Sequence, residues 1–207
     1  MPAIRRLLVV TSVAALLGAA GIIAVVLAEG RNIHPATAAS TATGVTLGGP
    51  FTLVGSDGKT VSDRNYRGKL LLVYFGYTYC PDVCPTTLAN IAQALVQLGP
   101  QASAVAPVFI TIDPKRDTPQ KMGEYVKAFD PRIIGLTGND AQVAAVAKEY
   151  RVYYAAQPAD KTSDYLVDHS SFVYLMDRNG KFLKVIPGSS SGVAMAAAIR
   201  PFIASGS

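Results

Sequence analysis

Both cysteines of this 207-residue chain lie in one stretch, CPDVCP, as Cys80 and Cys84, and each is followed directly by a proline. Two thiols four positions apart can do three kinds of chemistry: an inert disulfide, a thiol–disulfide redox couple, or thiolate ligation of a soft metal ion. As a structural staple the pair is inefficient, because closing a five-residue loop removes only about 2 kcal/mol of unfolded-state entropy. One regular helical turn would also hold the two Cβ atoms about 5–6 Å apart, wider than a disulfide needs. A proline disfavours the α region for the residue before it, so each cysteine is expected outside a helix. Pro85 suits the first helical position, which would put Cys84 at the N-cap and Cys80 in the preceding loop. There the backbone N–H groups and the helix dipole favour thiolate, so the placement is chemically active.

Metal chemistry with two thiolates, on Cu(I) or Zn(II), needs at least a third ligand. The chain has two histidines, His34 and His169, and no third cysteine to complete a closed zinc site of four protein ligands. His34 falls in a small, polar tract and reads as an exposed bystander. His169, in VDHSSFVYLMD, is either a ligand or a surface imidazole beside Asp168. An open site of two cysteines and one histidine suits copper better than zinc. Spacing by itself leaves disulfide, redox and metal readings open.

Several elements must position these residues. KLLLVYF (69–75) is a continuous apolar run of buried-strand type, and Leu88, Ile91, Ala92, Leu95 and Leu98 follow at helical spacing, so a strand feeds a helix through the cysteine loop. AVAPVFITI (104–112) is a second buried strand. Thr118-Pro119 is an N-cap and N1 pair for a helix reaching about Phe129. Residues 139–150 and 190–204 supply two more helices. Asp57-Gly58 and Asn179-Gly180 mark hairpins within 51–61 and 172–186. The order β-α-β-α-α-ββ-α implies a mixed β-sheet with helices on both faces. Neither strand is followed by a glycine-rich phosphate loop, which argues against nucleotide enzymes.

Residues 7–28 carry no charge and, as a helix, span roughly 33 Å, enough for a bilayer core. We read residues 1–6, with Arg5 and Arg6, as a cytoplasmic N-terminus, 7–28 as a transmembrane anchor, 29–44 as a flexible linker and 45–207 as an exported domain. Val26 and Ala28 also fit a signal-peptide cleavage site, but the apolar run is longer than such peptides use. The formal charge of +5 is dispersed, which gives nucleic acid little to bind.

CPDVCP, TIDPKRDTP (111–119) and VDHSSFVYLMD (167–177), in that order, resemble the SCO/SenC family of membrane-tethered, thioredoxin-like copper proteins over about residues 45–204. The resemblance implies a thioredoxin-like fold in which Cys80, Cys84 and His169 converge as copper ligands. It implies a metallochaperone that serves the dinuclear copper centre of cytochrome c oxidase, held in a bacterial inner membrane with its C-terminal domain outside the cytoplasm. The oxidase's copper-bearing subunit would be the partner, beside an upstream copper donor and a thiol reductant. The alternative is a thiol–disulfide reductase using Cys80 and Cys84 on the oxidase's own copper-site cysteines. Within TIDPKRDTP, Asp113 and Asp117 read first as part of a turn plus a helix cap and second as a partner-recognition element or a support for the ligands close to the site. Asp168 is a candidate for orienting His169. Tyr74, Tyr77 and Tyr79 read as packing.

Overall fold

The computed structural model describes residues 47–157 and 165–205. The anchor (7–28), its flanking segments 1–6 and 29–44, and His34 lie outside the described residues. Among the described residues no helix is long and apolar enough to cross a membrane.

The described residues form nine strands and four α-helices: β1 (Thr52–Gly55), β2 (Thr60–Ser62), β3 (Leu70–Gly76), α1 (Val83–Leu98), β4 (Val105–Thr111), α2 (Pro119–Lys127), β5 (Ile134–Thr137), α3 (Asp140–Glu149), β6 (Tyr154–Ala156), β7 (Val167–His169), β8 (Phe172–Met176), β9 (Phe182–Pro187) and α4 (Gly192–Ala204). Seven strands form one sheet in the order β2-β1-β5-β4-β3-β8-β9. Its centre, β5-β4-β3, is parallel, while β1, β2, β8 and β9 join antiparallel. The expected mixed sheet is therefore present. Every residue of β3 and β4 is buried, as their unbroken apolar runs require of strands covered on both faces. Both expected hairpins form, and Gly58 takes φ +78°, a left-handed turn conformation open to glycine at no steric cost.

Helices cover the sheet according to strand alternation. The face bearing Tyr74 and Gly76 meets α1 at Cys84, and Phe109 on the same side packs on Tyr125 of α2. Phe75 points the other way onto Tyr150 at the end of α3. Helix α4 is tied to α1, with the Gly192 N–H donating to Gln93 and the Arg200 guanidinium to the Gln97 carbonyl.

Three strands go beyond the elements read from the sequence. IGLT (β5) sits between β1 and β4, and β6 pairs with β7 as a separate two-stranded ribbon. Each is three or four residues long, too short for its periodicity to register.

Candidate metal centre

The topology accounts for the meeting of Cys80, Cys84 and His169. Strand β3 delivers the chain to the cysteine loop at its carboxyl end. Strand β8 runs antiparallel to β3, with Tyr74 opposite Val173, so the segment entering β8 lies beside the segment leaving β3. His169 closes β7, three residues before β8 begins. A crevice outside the carboxyl ends of parallel strands is where α/β folds place their ligands.

Helix α1 starts two residues earlier than expected, at Val83, with Asp82 as N-cap. Cys84 is thus the second helical residue and Pro85 the third. Pro85 is tolerated because the first-turn N–H groups have no intrahelical acceptor, and its ring removes none of the helix's bonds; the first of these runs from the Thr86 N–H to the Asp82 carbonyl at 3.2 Å. The N–H of Cys84 donates to Cys80 Sγ at 3.4 Å, so the first sulfur satisfies one of the helix's orphan donors. Both cysteines are buried and free. Gly76 makes the approach possible, since a Cβ there would lie 2.6 Å from Cys84 Sγ and 2.8 Å from the Phe109 ring.

His169 comes from the β6–β7 ribbon, where it pairs with Tyr154. Its Nδ1 lies 3.2 Å from the Ser170 carbonyl oxygen, which can only accept, so the proton belongs on Nδ1 and the lone pair on Nε2. Nε2 faces Cys84 Sγ at 3.3 Å, and the ligand atoms of Cys80, Cys84 and His169 all lie within 4.8 Å of one another. Metal–sulfur and metal–nitrogen bonds of about 2.0–2.3 Å would set three trigonal donors about 3.5–4 Å apart, so the trio fits one ion with little movement.

Comparison with known proteins bears on the same residues. The SCO1/SenC family profile matches residues 39–204. The chain belongs to the SCO1/SenC family. An SCO2-like protein of Rickettsia prowazekii is 45% identical over 141 residues, covering 68% of this chain and 69% of that one. The mitochondrial SCO1 homolog 1 of Arabidopsis thaliana is 48% identical over 139 residues, but the match spans only 41% of that protein. Among solved structures, copper-bound ScoI of Bradyrhizobium japonicum superposes with a TM-score of 0.70 at 43% identity, covering 75% of this chain and 99% of that one. Copper-bound yeast Sco1 gives 0.72 at 38% identity, covering 77% and 90%. The thioredoxin-like architecture expected from the resemblance is that of these SCO proteins.

In this SCO1/SenC chain the two sulfurs are electrostatically unequal. The Cys84 thiol donating to it is the largest influence on Cys80; together with the backbone N–H groups of Cys84 and Asp82 it outweighs burial and holds Cys80 well below the ordinary thiol value of 9.0. Cys84 is pushed up, because its S–H is held in the hydrogen bond it donates to Cys80 and because burial and the negative neighbour disfavour a second charge. At neutral pH the site therefore offers one ready thiolate and one thiol.

The residues around the trio depart from the sequence reading in three ways. Asp117 is no cap: its carboxylate is buried and accepts from the Thr78 N–H at 3.0 Å, the Thr78 hydroxyl at 2.5 Å and the Thr111 hydroxyl at 2.6 Å, fastening the cysteine loop to β4. The cap of α2 is Thr118, as expected from Thr118-Pro119, its hydroxyl accepting from the Lys121 N–H. Asp168 does not orient His169; it accepts from Gln157 at 2.7 Å on the exposed side of the ribbon, and the Ser170 carbonyl takes the orienting role. Tyr77 does more than pack, since its ring stands edge-on to His169 at 6.0 Å and its hydroxyl accepts the Val167 N–H at 3.1 Å. Asp113 accepts from Arg116 and, at 2.6 Å, from the Tyr165 hydroxyl, while the Arg116 guanidinium lies 3.7 Å from the centre of the Tyr165 ring and 4.6 Å from that of Tyr79. The roles of Thr78, Arg116 and Tyr165 were not read from the sequence. A tyrosine two residues ahead of VDH was the available signal for the last.

Proposed function

We propose that the chain is a membrane-anchored copper metallochaperone that delivers copper to the dinuclear copper centre of cytochrome c oxidase during its assembly. The observation that carries this reading is the convergence of Cys80 Sγ, Cys84 Sγ and His169 Nε2 on one ion-sized space. Two soft sulfurs and one imidazole fit copper, and three ligands leave a position through which an acceptor's ligand can enter. When bound, copper would supply a labile centre for ligand exchange. The chain's residues hold the thiolates at a helix start and fix the imidazole tautomer. Copper-bound relatives at 43% and 38% identity support the metal, and the family resemblance supports the oxidase's copper-bearing subunit as acceptor. An upstream copper donor and a thiol reductant complete the cycle, since loading needs both thiols reduced.

A thiol–disulfide reductase is the second reading, favoured by the depressed Cys80 thiol beside a partner sulfur. His169 separates the two, because electron shuttling needs two sulfurs and copper holding also needs the imidazole. His169→Ala is expected to leave folding and the Cys80/Cys84 exchange equilibrium in place while copper affinity falls by roughly 10-fold or more; Cys80→Ser or Cys84→Ser removes both activities. Copper stoichiometry, spectroscopy and thiol–disulfide exchange on the three variants check this. Copper bound by His169→Ala as tightly as by the parent would favour the reductase.

A further inference from the structure

Tyr74 is fully buried in the middle of β3, yet its hydroxyl has no hydrogen-bond partner among the described residues. Leaving a buried hydroxyl unmet is costly, so the orphan calls for an account. Its ring is fixed, stacked on Phe109 at 5.7 Å and edge-on to His169 at 6.4 Å. It shares a sheet face with Gly76, the residue whose missing side chain admits Cys84 Sγ. The polar groups near the hydroxyl are the Cys84 thiol and the hydroxyls of Thr87 and Ser171. Thr87 already donates to the Val83 carbonyl at 2.8 Å, and neither hydroxyl changes character when metal arrives. Cys84 does. As a thiol it is a weak acceptor; as a metal-bound thiolate, its proton lost to solvent, it is an anionic one.

We propose that Tyr74 is a positioning residue of the metal centre whose hydroxyl donates a hydrogen bond to the Cys84 sulfur once that sulfur holds copper. The proposal rests on reading Cys80, Cys84 and His169 as a copper site. It means that the metal-free protein keeps a donor in reserve, and that copper binding satisfies it. A donor on a ligating sulfur steadies the thiolate and lowers the energy of its lone pairs, which tunes both retention and spectrum.

Tyr74→Phe in the purified full-length protein tests this, because it removes the hydroxyl and keeps the ring. The metal-free variant is expected to melt no lower than the parent. Copper(I) affinity, measured by competition with a chromophoric chelator, is expected to fall roughly 10- to 100-fold. In the copper(II)-loaded variant the sulfur-to-copper charge-transfer band is expected to move to longer wavelength. Unchanged affinity and an unmoved band would overturn the proposal, and so would a metal-free variant melting several degrees lower, since the hydroxyl would then already be satisfied without metal. A parent that fails to hold one copper per chain would instead overturn the reading of the site itself.

Discussion

Cys80 and Cys84 are legible in the sequence because their chemistry is local: two scarce residue types, close spacing and two prolines. His169 is legible only as a candidate, since 85 residues separate it from the sulfur it faces. Asp117 illustrates what remained hidden. Its partner Thr78 is 39 residues away, and nothing in TIDPKRDTP distinguishes a buried tie from a turn residue. Burial raises its carboxyl above the ordinary 3.8, against the pull of the Thr111 and Thr78 hydrogen bonds. Asp117→Ala leaves the buried Thr111 hydroxyl and the two half-buried donors of Thr78 without their acceptor and is expected to lower stability by about 2–3 kcal/mol in denaturant unfolding. The pH dependence has a definite sign. A carboxyl raised in the folded state binds its proton more tightly there, so its contribution to stability is fullest below pH 3.8 and declines as pH rises through the folded value. The deficit of Asp117→Ala should accordingly be wider at pH 4 than at pH 7. A deficit below about 0.5 kcal/mol would show that Asp117 does not hold the cysteine loop.

At the scale of elements, the strong periodic segments were readable and the short ones were not. The buried runs became β3 and β4, and the expected helices became α1 to α4. IGLT, bounded by turn residues, supplies a strand in the parallel centre because β1 and β4 flank it, a tertiary demand that four residues do not announce. The β6–β7 ribbon matters most, since it carries His169 and two strands alone are marginally stable in water. It is held by the Tyr77 hydroxyl on the Val167 N–H, the Tyr153 carbonyl on the Ser170 N–H at 3.1 Å and the Tyr165 hydroxyl on Asp113. We expect the amides of residues 153–157 and 165–170 to exchange with deuterium faster than those of β3 or β4, and to slow on copper binding. Tyr165→Phe should speed that exchange several-fold while lowering global stability by no more than about 1 kcal/mol. Ribbon amides protected as strongly as those of β3 would contradict this.

The whole molecule joins this domain to an N-terminal stretch that was read from hydropathy alone. The uncharged run 7–28, preceded by Arg5 and Arg6, supports an anchor that stays attached. Intact mass of the protein extracted from membranes should therefore include residues 7–28, and a mature chain beginning near Glu29 would refute it. The domain's own sheet ends in β2 on one side and β9 on the other. Strand β2 has three residues, and β9 carries exposed Lys184 and closes on Pro187, which has no N–H to give. An unprotected strand edge would let one copy template the next into a growing fibril. A short edge and an edge interrupted by charge and proline deny such stacking a foothold.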